Sequence, residues 1–110
     1  MNTLFRSTRR SAIAAMAIAL CIGGWTGVAQ AADPKNGATL YNQHCVNCHG
    51  QRGVPVMPGV PDFSRRERLM QSDLDLIKAI SRGKGMMPAY QGLLSENDIL
   101  DVISHLRNLR

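Results

Sequence analysis

Residues 45 to 49 read Cys45-Val46-Asn47-Cys48-His49, the one place where cysteines and a histidine crowd into a short run. Two thiols three positions apart lie on one helical turn, with an imidazole beside the second. Cys-x-x-Cys-His is the attachment signature for c-type haem. Each thiol adds across a vinyl group to form a thioether, and the histidine is then held beneath the ring, where it binds iron. A chain with such a group folds around it, so the motif constrains the core as well as the chemistry. A redox dithiol of the thioredoxin kind needs a surrounding β-α-β pattern, which is absent here. A zinc site would have to recruit His44 or His105, and no second Cys-x-x-Cys or spaced histidine pair completes it.

The first thirty-one residues read as an address. Arg6, Arg9 and Arg10 make a positive start, Ala12 to Ile22 are apolar, and Ala29-Gln30-Ala31 is a small-x-small cleavage site. These are the three parts of a secretory signal peptide. The apolar stretch is about half of what comfortably spans a bilayer, and Gly23-Gly24 interrupts it; an uncleaved anchor over Ala12 to Val28 is the alternative. Arg9-Arg10 lacks the bulky apolar continuation of a twin-arginine signal, and Leu20 is too large for a lipoprotein signal at Cys21. Cleavage after Ala31 leaves one domain, residues 32–110.

The cut changes the electrostatics. The whole chain has thirteen basic and eight acidic residues, but three of the basic ones leave with the leader. Ten against eight leaves +2, which two haem propionates would roughly cancel. No nucleic-acid-binding face follows from the whole-chain charge. The mature domain is also short of large apolar groups, with Tyr41, Phe63 and Tyr90 as its only aromatics. Domains of this size bury a modest core and usually need a staple. A large apolar cofactor at the centre would supply the missing component.

Helix signals dominate, with no strand alternation and no internal repeat. Asp33-Pro34 caps a helix carrying Gly37, Leu40, Tyr41 and His44 that runs into Cys45. Gly53, Pro55, Pro58 and Gly59 forbid a long regular element in the next stretch. Ser64 with Glu67 reads as a capping box for a short helix over Arg65 to Met70. Ser72 caps another, with a stripe of Leu74, Ile77 and Ile80 and a stop at Gly83. Residues 83–94 are irregular. Ser95 with Asp98 opens the last helix, whose buried stripe is Ile99, Val102, Ile103, Leu106 and Leu109. The expected fold class is all-α: three to four helices and loops wrapped around one haem.

Haem iron in an electron carrier takes a sixth ligand, commonly a methionine thioether. Four methionines remain after cleavage: Met57, Met70, Met86 and Met87. Met70 falls in a helical pattern, where methionine usually fills core space. Met57 and Met87 each precede a proline, which stiffens the backbone that presents them. Eight residues separate Met57 from His49, enough contour to reach the far haem face. The residues alone leave both open.

Over essentially the whole mature chain the pattern resembles class I cytochromes c of the small bacterial monohaem type. The resemblance rests on Gly37 with Tyr41 before Cys45, on Cys45, Cys48 and His49, on Pro61-Asp62-Phe63, and on Gly83-Lys84-Gly85-Met86-Met87-Pro88-Ala89-Tyr90. It implies a cytochrome c fold with one covalent haem c and iron held by His49 and Met87. It further implies that the Pro61 carbonyl accepts from the other nitrogen of His49, which would raise the basicity of that ligand. Met57 then falls on the proximal loop as packing, and Phe63 and Tyr90 line the haem pocket. Arg65, Arg66, Arg82 and Lys84 are candidates to neutralise propionates, although loop charges more often face water. The family places an aromatic in the last helix where this chain has His105, which is expected to stack on Tyr41; a histidine there also titrates near neutral pH. His44 is expected to face solvent.

The implied function is a periplasmic, soluble, monomeric carrier of single electrons with both axial positions filled, hence no enzyme. Its partners would be periplasmic or membrane-bound redox proteins, donor and acceptor, docked weakly and transiently. A haem enzyme or gas-binding protein with an open distal site is one alternative; a tightly bound cytochrome subunit of a dehydrogenase or reductase is the other.

Overall fold

Asp33 starts the first helix. Its carboxylate accepts from the Lys35 N–H at 2.8 Å, and Pro34, which has no N–H to satisfy, takes the first helical position. Helix α1 covers Pro34–His44 and, after a break at Cys45, α2 covers Val46–His49. Helix α3, Asp73–Arg82, begins where the Ser72 hydroxyl accepts from the Asp75 N–H. Helix α4, Glu96–Arg107, begins at a full capping box between Ser95 and Asp98. The computed structural model describes residues 30–110, so the proposed leader lies outside the described residues except for its last two positions. Ala31–Arg110 form one all-α unit. Among the described residues the only extended pairings are isolated bridges, Lys84 to Met87 and Gln91 to Leu94, and no helix is long and apolar enough to cross a membrane.

The helix expected over Arg65 to Met70 does not form. A 3-10 turn over Phe63–Arg65 takes its place, and Arg66 and Arg68 adopt left-handed backbone with φ of 63° and 65°. The local signal was read one element too far on. Asp62, rather than Ser64, caps this turn: its carboxylate accepts from the Ser64 hydroxyl and the Arg65 N–H, while Glu67 accepts from the Asp62 N–H at 2.9 Å. Met70 is accordingly no core filler; it is 83% exposed, and Leu69 beside it is buried. In α3 the inward residue is Leu76 flanked by Ile77 and Ile80, whereas Leu74 faces out. Apolar spacing marks a face only once the helix has a neighbour to point it at.

That neighbour is α4. Val102 and Leu106 join Tyr41 and Leu69 in one cluster, edged by Cys45, Val46, Phe63 and Leu109. Ile99 and Ile103 join Leu76 in a second cluster with Ile77, Ile80 and Leu94. One helix thus packs two others by presenting i, i+4 pairs on adjoining faces. Where α1 crosses it, Gly37 lies against the main chain of Asp101 and Val102, so close that a Cβ would overlap the Asp101 carbonyl. The Asp101 carboxylate reaches back, accepting from the Asp33 N–H at 2.6 Å and from the Asn36 amide at 2.8 Å. It satisfies a free donor at the start of α1 while pinning the crossing.

His105 stacks on Tyr41 as expected, tilted by 53° with ring centroids 5.4 Å apart. Burial holds its imidazole below the ordinary value. Below about pH 6.5 the unfolded chain therefore binds more protons at this position than the folded one. This contribution is fully present above that pH and is lost as pH falls through the depressed folded value. The denaturant midpoint should decline between about pH 7 and pH 5, and His105→Phe should flatten that decline; an unchanged slope would remove His105 from the account.

Candidate functional site

The end of α1 passes through Cys45 into the single turn of α2, which carries Cys48 and His49. The coil stays continuous because the His49 N–H donates to the Cys45 carbonyl at 3.0 Å. The two cysteines are unbridged and half-buried. Burial, reinforced by Cys48, pushes the Cys45 thiol up to about 11. A redox-active dithiol depends on a depressed value that exposes a thiolate, so this pair lacks the electrostatics of that alternative. Nor does any group of three or more His, Cys, Asp or Glu among the described residues come together to hold a metal ion, which answers the zinc reading.

His49 is buried, and burial lowers its pKa, so the ring is neutral as an iron ligand must be. Phe63 stacks face to face on it, with centroids 4.7 Å apart and planes within 12°. Its Nδ1 is buried with no hydrogen-bond partner. The bond expected to the Pro61 carbonyl is therefore not formed here, and Pro61 is merely half-buried nearby in sequence. A buried imidazole nitrogen without a partner costs free energy on the order of 1–3 kcal/mol. Ligand geometry, rather than folding stability, accounts for a histidine at this position. The donor set, two thiols one turn apart and a neutral buried imidazole, fits covalent haem c with His49 as an axial ligand.

Two loops frame the site, the first leaving this turn. The first closes at its neck, where the Phe63 N–H donates to the Gly53 carbonyl at 2.9 Å. The closure delivers Phe63 onto His49 and encloses Met57, half-buried, in the same loop. The second hangs from the end of α3. The main chains of Lys84 and Met87 exchange hydrogen bonds of 3.2 and 3.0 Å, and the Tyr90 N–H donates to the Ile80 carbonyl. The buried Tyr90 also donates from its hydroxyl to the His44 carbonyl at 2.8 Å, tying this loop to the helix that leads into Cys45. Met87 is half-buried, whereas Met86 beside it is 85% exposed. Gly83, at φ 68°, lets the Met87 carbonyl pass 2.5 Å from where a Cβ would sit. The sequence marked Gly83 as the stop of α3 and the start of the loop carrying Met87-Pro88; the close pass of the Met87 carbonyl is what the structure adds.

The other histidines are engaged elsewhere. His44 lies edge-on to Tyr90 at 6.1 Å and His105 lies on Tyr41. Of the candidate propionate partners, Arg66 donates to the Arg107 carbonyl at 3.3 Å, while Arg65, Arg82 and Lys84 are exposed. Tyr41, buried on α1, donates to the Gly50 carbonyl at 2.6 Å and so holds the residue after His49.

A family model described as cytochrome C oxidase, cbb3-type, subunit III matches residues 32–106. Among curated relatives, a cytochrome c6 of Thermosynechococcus vestitus is 35% identical over 98 residues, covering 86% of this chain and 85% of the relative. The chain is 32% identical to cytochrome c6 of Porphyra purpurea over 94 residues, covering 82% of this chain and 84% of that protein. Cytochrome c6 of a Nostoc species is 30% identical over 93 residues, with 83% and 84% covered.

Proposed function

The chain belongs to the small class I c-type cytochromes, and we propose that it is an exported electron carrier working in the periplasm with His49 and Met87 as its axial ligands. The observation that carries this reading is the buried His49, stacked on Phe63, beside two free thiols on one turn. The bound haem c supplies a single iron-centred one-electron couple. The protein's part is to hold and shield it. Cys45 and Cys48 anchor the ring, Phe63 fixes the plane of His49, and the Tyr90 and Gly83 contacts hold the Met87 loop in place. Where Met87 holds the iron together with His49, its neutral thioether would favour the reduced state, so the reduction potential should be high for a c-type haem.

With His49 and Met87 both holding the iron, the chain would perform no bond chemistry of its own. Neither His44 nor His105 is available as a distal acid–base group, since each lies against a tyrosine. Residues 1–31 act as the export leader and residues 32–110 as the working domain. Its donor and acceptor are redox proteins of the periplasm or the membrane surface. Relatives named cytochrome c6 are matched over most of their length, which supports a single-domain carrier.

The optical spectrum of the purified holoprotein, oxidised and reduced, tests the reading. A low-spin spectrum indifferent to carbon monoxide and azide is expected. A high-spin spectrum that shifts with either ligand would overturn it in favour of an enzyme or gas-binding protein.

A further inference from the structure

Three segments far apart in sequence meet in a cleft lined by Arg52, Val54, Ser64, Leu109 and Arg110. Gly53 makes the meeting close: its Cβ position lies 2.7 Å from Phe63 Cβ and 3.0 Å from Leu109 Cδ1. Arg66, two residues after Ser64, is exposed and donates to the Arg107 carbonyl. Among the described residues the only ion pair is Arg107 with Asp73, so Arg52, Arg66 and Arg110 are exposed without an acidic partner. The nearby acids are already engaged, because Asp62 and Glu67 accept from donors of the 62–67 turn itself. The arginines surround apolar surface: Val54 is 54% and Val56 65% exposed, and Leu109 is half-buried. Phe63, immediately behind the cleft, is stacked on His49.

We propose that the face formed by Arg52, Val54, Ser64, Leu109 and Arg110 docks an acidic patch on a redox partner protein. The assignment rests on the electron-carrier reading for the nature of the partner, while the surface itself is a matter of charge and shape. A near-neutral mature chain that gathers unpaired arginines at one place presents a local positive field that its net charge conceals. An apolar centre with a charged rim is the anatomy of a transient protein interface. The concavity suits a protruding carboxylate side chain better than a flat anionic bilayer. Steering by such a face raises encounter rates without tight binding, as a shuttle requires.

The test titrates isotope-labelled holoprotein with a short synthetic peptide of glutamates around one phenylalanine, following backbone amide shifts. Shifts should concentrate at 52–54, 64–66 and 109–110 and vanish at about 1 M salt, where screening acts within about 3 Å. The Arg52→Glu/Arg110→Glu variant should bind about ten-fold more weakly, a few-fold per charge pair, and Arg52→Gln/Arg110→Gln should fall between. Shifts clustered elsewhere, or affinity indifferent to both variants, would overturn the proposal. So would tighter binding of the same face to phosphatidylglycerol vesicles than to the peptide, which would assign it to a membrane. The reversible one-electron couple of each variant is recorded alongside. Its loss in the unaltered holoprotein would sink the carrier reading, whereas a normal couple with displaced shifts would sink only the docking face.

Discussion

Replacing Met87 by Ala abolishes the weak far-red methionine-to-iron charge-transfer band of the oxidised holoprotein, while Met57→Ala and Met86→Ala leave it in place. This is the expected result, and three features support it. Met86 is 85% exposed, so its thioether faces water. Met57 lies in the loop whose neck is closed by Phe63, the residue stacked on His49. Met87 alone is half-buried in a loop tied down at both ends, by its exchange with Lys84 and by Tyr90 on His44. Losing the thioether should also lower the reduction potential by on the order of a hundred millivolts, a modest part of the roughly 0.8 V that axial ligation spans. Both readouts come from one spectroelectrochemical titration. If Met57→Ala removes the band and Met87→Ala spares it, the ligand assignment is wrong.

Gly37→Ala should be the most damaging single-methyl change in the helical frame. Two effects oppose each other. Alanine is the better helix former by about 1 kcal/mol. Against this, its Cβ would overlap the Asp101 carbonyl and crowd the Val102 nitrogen, both main-chain atoms that cannot rotate away. The two helices would have to part, loosening the Tyr41–Val102–Leu106 cluster and the Asp101 bonds to Asp33 and Asn36. Overpacking of this kind costs about 1–3 kcal/mol and occasionally more. With rigid main chain on both sides the upper end applies, leaving a net loss of about 2 kcal/mol. For a domain of this size that is roughly 8–16 °C in melting temperature. Gly37→Val should lose more still. A Gly37→Ala protein that melts higher than the parent would mean that the crossing is not as close as described.

How much was legible beforehand differs by feature. Helix starts were read correctly wherever the capping group and the helix it caps adjoin, as at Asp33, Ser72 and Ser95, because a cap is a contact over three residues. The same rule failed at Ser64, where Asp62 and Glu67 close a turn around the serine and two left-handed arginines end it. On α3 the stripe held at Ile77 and Ile80 but not at Leu74, whose place Leu76 takes, for a related reason. Leu74 and Leu76 are equally apolar, and only the position of Ile99 and Ile103 selects between them. The Phe63 stack on His49 was foreshadowed only by the resemblance, which placed Phe63 at the haem pocket, and the cleft of arginines had no sequence signal at all.

By itself the sequence determined the chemistry and the local geometry of its anchors. Two thiols and an imidazole within five residues occupy one helical turn whatever surrounds them, and the caps and prolines that bound the helices act over similarly short distances. Tertiary structure alone decided orientation: which ring stacks on His49, which face of α3 turns inward, and which arginines share a surface. Those outcomes depend on contacts between residues tens of positions apart. Such contacts exist only after Gly37 has let α1 and α4 approach and Gly53 has drawn Phe63 and Leu109 together.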